Sequence, residues 1–259
     1  MLSCNNDFIH LDPVSSVNID VLYQTDKDFY DAFPPVYDVL QSIYNDFWMF
    51  GDLRADDAWQ EVIKNDSRSY MDLFTTNSSD ALIQTQWQLH YRGIYRANVI
   101  LERIADKDIP NKNRYIAEAS FLRALLYFNV VRIWGDVPIV TKPLTVEEAY
   151  NQRREPVSKV YELILSDLQT AEAGLPNSYG GSDVGKPTAG AAKALLGRVL
   201  LTIGDFQRAE SKLAEVTQMG YALLPDYNDL WKYDNEHHSE YIFDIEYEEG
   251  MDEGTSLAN

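Results

Sequence analysis

Cysteine is almost missing. Cys4 is the only one in 259 residues, so no intramolecular disulfide can staple the fold. Stability must come from a buried core, for which the length is ample. Positive charge is also scarce: 22 Lys and Arg stand against 41 Asp and Glu, a net charge of −19. Such a chain repels a phosphate backbone, which argues against nucleic acid as a partner and suits a neutral or cationic ligand. No apolar run approaches the length of a membrane span. The N-terminus lacks the charged and apolar regions of a full signal peptide.

The groups that catalysis needs are equally thin. There are four histidines, His10, His90, His237 and His238. His237 and His238 are adjacent, so they diverge on a strand or a helix and make a poor metal pair. His90 reads as helix surface or core. No serine sits in a nucleophile elbow. The glycines of 177–185 do not form a phosphate cradle, because the following GKPT lacks its upstream glycine. A glycosidase needs two carboxylates across one bond. Among 41 acidic residues, chance pairs such as Asp56–Asp57 or Asp244–Glu246 carry no weight. The reading is a binding protein with no cofactor and no metal, not an enzyme.

What the chain does have is a central helix, Tyr115 to Trp134, apolar on nearly every side from Phe121 onward. Such a helix is buried within a larger protein. Its best stripe is Ile116, Ala119, Tyr127, Val130 and Trp134, with Arg123 in its middle. A buried guanidinium requires a partner. Gly135 and Pro138 end the helix. Before it, Asp80 to Ala105 reads as a helix with Trp87, Tyr91, Ile94, Tyr95, Leu101 and Ile104 on one face. Asn98 lies within that face, and a buried amide there should fix neighbouring backbone. The two helices form an antiparallel hairpin.

Further out, Thr25 caps a first helix, and Pro34-Pro35 should kink or split it. Val157 to Ala171 is an amphipathic helix opened by Pro156. Thr188 to Gly220 resembles one tetratricopeptide unit: Gly204-Asp205 turns the chain, and small residues at Gly197 and Ala209 allow close helix approach. Tyr221 to Leu224 reads as extended and Tyr227 to Tyr233 as a turn or short helix. Glu240 to Tyr247 alternates as a strand. The fold class is therefore mainly α, built of tetratricopeptide-like hairpins, with a few short strands near the C-terminus.

Phe47 to Ser79 is the least regular stretch. Its aromatics (Trp48, Trp59, Tyr70, Phe74) alternate with polar groups (Asp56, Asp57, Lys64, Asn65, Arg68). That composition can grip a sugar, with ring faces for C–H patches and carboxylate, amide and guanidinium for hydroxyls. Met1 to Asn6 ends like a lipoprotein signal, with Cys4 as the acylated residue; a stray thiol is the alternative. Phe8 to Val21 has no helical period and reads as a tether.

Taken in order, these segments resemble the SusD/RagB family of outer-membrane nutrient-binding lipoproteins. The resemblance runs through Leu11-Asp12-Pro13, then Thr25-Asp26 with Phe29 and Tyr37, then Trp87, Tyr91, Ile94, Ala97 and Asn98. Its most diagnostic part is Glu118-Ala119, Phe121-Leu122-Arg123-Ala124 and Gly135-Asp136-Val137-Pro138. Asp167-Leu168, Ala191 to Ala209, and Ser239-Glu240 with Ile242-Phe243 continue it. The resemblance implies a surface-exposed protein of the cell outer membrane, lipid-anchored at Cys4 and non-enzymatic. It would capture oligo- or polysaccharide and hand it to a SusC-type TonB-dependent transporter. It also points to the 56–74 loop for sugar contacts, with Asp57, Trp59, Arg68 and Tyr70 as candidates. Members are about twice this length. The expected organisation is thus 1–24 lipoprotein N-terminus and tether, 25–224 helical domain, and 225–259 the beginning of a truncated C-terminal region. The competing reading is a tetratricopeptide-type adaptor for protein partners without sugar binding.

Overall fold

The computed structural model describes residues 22–55, 57–232 and 235–247. Thr25 caps α1 (Asp26–Tyr30) with a complete capping box, its side chain accepting from Asp28 N while Asp28 accepts from the Thr25 backbone. The chain then breaks, and α2 (Pro34–Trp48) starts afresh on Pro34-Pro35. Proline lacks the N–H that a continuing helix would use, so the pair splits the stretch into two helices. Then follow α3 (Ser67–Asp72), α4 (Ala81–Arg103), α5 (Lys112–Trp134), α6 (Val146–Tyr150), α7 (Val157–Gly174), α8 (Ala189–Thr202) and α9 (Phe206–Thr217).

Each long helix packs on the next: α4 on α2 and α5, α5 on α7, α7 on α8, α8 on α9. From Ala117 to Val131, α5 is buried on every side, as its all-round apolar sequence requires. Arg123 meets Asp167 of α7 in a bidentate pair, Nε to Oδ2 at 2.8 Å and Nη2 to Oδ1 at 2.7 Å. Its Nη1 also donates to Asn98 Oδ1 of α4 at 2.8 Å. The Asn98 amide in turn donates to the Val140 carbonyl at 2.8 Å, and the Tyr91 hydroxyl to that of Pro138 at 2.8 Å. This buried network ties three helices to the 138–141 segment. Burial pushes the Asp167 carboxyl up, and the Arg123 guanidinium opposes it.

The α8–α9 hairpin closes as the small-residue spacing requires. A Cβ at Gly197 would stand 2.5 Å from Leu213 Cδ2 of α9, and Ala209 is buried beside it. Lys193, Lys212, Glu172 and Glu215 cross-link α7, α8 and α9 through shared ion pairs. One side chain departs from its expected face: Tyr95 is exposed. The helix α4 instead buries Gln86, His90, Gly93, Ile94, Ala97 and Asn98.

The expected C-terminal strand does not form. Among the described residues the only β-pairing is an isolated bridge, Val137 with Glu155. Residues 241–247 have the alternation of a strand but no neighbouring strand, and a ladder needs both sides. They run instead as an extended strap over the helices. Phe243 packs edge-on to Phe121 with centroids 5.0 Å apart. The Glu246 carbonyl accepts from Gln41 Nε2 at 2.8 Å, and the Tyr247 hydroxyl donates to the Gln41 carbonyl at 2.9 Å. The Gln41 side chain thus satisfies one carbonyl of a backbone that has no sheet to join.

Candidate functional site

The segment between α2 and α4 is more ordered than its composition suggests. After Trp48 the chain widens into a π-turn, Met49–Leu53. Met49, Leu53, Met71 and Leu82 form a second, small core, with Trp48, Phe50, Ala58 and Ile83 packed on it. The short α3 is capped by Asp66, whose carboxylate accepts from Ser69 N at 2.9 Å. The hydrogen bond from the Ser69 backbone holds that carboxyl below the usual range.

Ser69 is fully buried and acts as a hub. Its hydroxyl accepts from Lys64 N at 2.8 Å and donates to Gln60 Oε1 at 3.2 Å. Asp80 accepts from the Ser67 hydroxyl at 2.8 Å and from Leu82 N at 2.9 Å, capping α4 and tying α3 to it. The loop is therefore pinned from below by buried polar groups and a few apolar ones.

Several large apolar side chains face outward among its polar ones. Trp59 is 73% exposed and Phe74 59%, and Val62, Ile63 and Leu73 are exposed in the same segment. Phe74 holds φ +56, a left-handed conformation rare for an aromatic. Asp57 and Arg68 are exposed too. The Arg68 guanidinium lies 5.9 Å from the Trp48 ring centroid, a cation–π distance. Tyr70 is half-buried and its hydroxyl donates to Asn65 Oδ1. Of the four residues singled out from sequence, Trp59 is thus a free ring, Arg68 a ring-stacked cation and Tyr70 a strut within the loop. Arg68 and Tyr70 stand two apart on α3 and do not share a face. Cys4 and Asp56 lie outside the described residues.

A feature that sequence reading missed is a cleft of about 1120 Å³ between the start of α2, residues 182–186 and the strap. Tyr30, Tyr37, Tyr241 and Tyr247 line it together with Arg96 and Lys186. These residues come from four separate stretches of chain, and no local pattern connects them.

The chain matches the SusD-like family model described as starch-binding and associating with the outer membrane, over residues 35–201. It is 29% identical to a SusD-like protein of Formosa agariphila, an alignment that covers 95% of this chain and 49% of that protein. A SusD-like protein of Bacteroides ovatus is 24% identical over 95% of this chain and 47% of its own length. Among solved structures, a laminarin-binding SusD-like protein superimposes with a TM-score of 0.78 at 33% identity, over 85% of this chain and 51% of that one. A SusD-like protein of Bacteroides fragilis gives 0.74 at 28% identity, over 88% and 46%. The chain spans about half the length of these relatives.

Proposed function

The chain belongs to the SusD-like family of outer-membrane-associated, starch-binding proteins, and from that premise we propose that it captures a neutral glucan at the outer membrane. Delivery of that glucan to a SusC-type TonB-dependent transporter is part of the same reading, as is a lipid anchor at Cys4. In this reading residues 1–24 are the tether, 25–224 the helical domain, and 225–259 the opening of a C-terminal region.

The observation that carries it is the exposure of Trp59 and Phe74 on a loop pinned by its own small core. A ring held in water by a rigid support is prepared to stack on a sugar without paying for loop ordering. Starch, in the family's description, and laminarin, bound by a structural neighbour, are both uncharged glucose polymers. A net charge of −19 also disfavours anionic polysaccharides. Asp57 and Arg68 supply a carboxylate and a guanidinium for sugar hydroxyls at the edge of the rings. Tyr70 contributes by holding the loop through Asn65.

Affinity electrophoresis in gels containing laminarin or soluble starch tests this. The wild type should be retarded by one of them. Trp59→Ala should weaken binding about tenfold, the worth of one stacked ring, with an unchanged helical circular-dichroism spectrum. Unchanged retardation in a Trp59→Ala/Phe74→Ala double variant would remove the loop from the site. No retardation of the wild type by either polymer would favour the adaptor reading.

A further inference from the structure

The tyrosine-lined cleft carries a second group of polar side chains that the glucan reading does not use. His237, Asp244 and Glu246 all line it. One ligand atom from each lies within 4.8 Å of the others, with His237 Nε2 3.4 Å from Glu246 Oε1. Asp244 and Glu246 stand two apart on the strap, and both line the cleft. His237 returns to them across the turn that precedes Ser239.

Asp244 is half-buried and Glu246 exposed; two carboxylates this close repel one another, and a cation between them relieves that. The lysine and the arginine of the cleft are engaged elsewhere. Lys186 pairs with Asp183 at 2.8 Å and sits 3.8 Å over the Tyr30 ring. Arg96 is held by the Pro35 carbonyl and by Asp38 at 3.6 Å. The Glu246 carboxylate lies directly against Gly185, which holds φ +93. The Glu246 backbone is anchored as well, through its carbonyl to Gln41.

We propose that His237, Asp244 and Glu246 bind a divalent first-row transition-metal cation on the wall of this cleft. An imidazole nitrogen with two carboxylate oxygens suits zinc, cobalt, nickel or manganese, whereas calcium and magnesium prefer oxygen throughout. Three protein ligands would leave at least one coordination position open. The ion would also fasten the strap to itself on both sides of residues 238–243, where a sheet would otherwise have done so.

The test uses the whole chain purified without a histidine tag. Zinc is titrated by calorimetry, and histidine side-chain NMR follows which of His10, His90, His237 and His238 responds. One saturable zinc per chain is expected, with the His237 imidazole shifted and His90 unmoved. His237→Asn and Asp244→Asn should each weaken binding at least about tenfold. The wild-type NMR readout holds even where a variant folds poorly. No saturable binding by about 1 mM zinc would overturn the proposal. So would a response confined to His10 or His238, or calcium binding more tightly than zinc.

Discussion

Replacing Arg123 by alanine should be among the most damaging single changes in the chain. The side chain sits in α5 with 10% exposure, against Asp167 with 6%. Its removal leaves the Asp167 carboxylate buried without its two guanidinium donors, and leaves Asn98 Oδ1 without its donor. Stranding one member of a buried pair costs about 3–5 kcal/mol, and the orphaned amide oxygen adds about 1 kcal/mol. A domain stable by about 5–15 kcal/mol would lose a large part of its margin. The double variant Arg123→Met/Asp167→Leu removes both charges and fills the space with apolar atoms. It should recover most of the loss, because the desolvation cost of the pair disappears with it. Urea denaturation followed by circular dichroism gives both numbers in one series. A single-variant loss under about 1 kcal/mol would mean that the pair behaves as an exposed one. A double variant no better than Arg123→Ala would mean that the charges are needed for more than mutual compensation.

Gly197→Val drives a branched side chain into Leu213 and should cost about 1–3 kcal/mol, read as a lower urea midpoint with unchanged slope. His90 is fully buried with only its Nδ1 bonded, to the Gln86 carbonyl at 2.7 Å, and burial lowers it to about 4. The unfolded chain then binds a proton that the folded one refuses, so stability falls as the pH drops from about 6.5 to 4, by about 3 kcal/mol from this group. His90→Gln should lose less over that window in parallel melts. Glu118 works in the opposite direction. It is buried, its Oε1 accepts from the Tyr37 hydroxyl at 2.7 Å, and burial raises its carboxyl. The folded state holds the proton longer than the unfolded one, so wild type loses stability relative to Glu118→Gln as the pH rises above 4.5. An equal gap between these two proteins at pH 4 and pH 8 would contradict that account.

The candidate site was legible only in part. The alternation of aromatics and polar groups after Phe47 marked the segment in which Trp59 and Phe74 are exposed, because composition reports what a loop can offer. It did not report which groups the loop spends on itself. Tyr70 and Asn65 are bonded to each other, while Phe74 and Trp59 are left in water. The difference depends on the small core of Met49, Leu53, Met71 and Leu82, whose members come from three segments of chain. The trio of His237, Asp244 and Glu246 was hidden for a related reason. Reading His237 with its neighbour His238 looked for ligands along the chain, whereas its partners are seven and nine residues downstream, across a turn.

The sequence by itself determined the local architecture. Apolar period, Thr25 and Asp80 as caps, Pro34-Pro35 and Gly135 as breaks, and the small residues at Gly197 and Ala209 specify the helices and their hairpins. It also stated two debts, a partner for Arg123 and a carbonyl for Asn98, since neither group can be buried alone. Only the tertiary structure decided who settles them: Asp167, 44 residues away, and the Val140 carbonyl. It likewise decided that 241–247 lies as a strap. Helix hydrogen bonds close within four residues and are written in the nearby sequence. A strand's hydrogen bonds are completed by another segment, and here Gln41 of α2 answers one of them, at the Glu246 carbonyl.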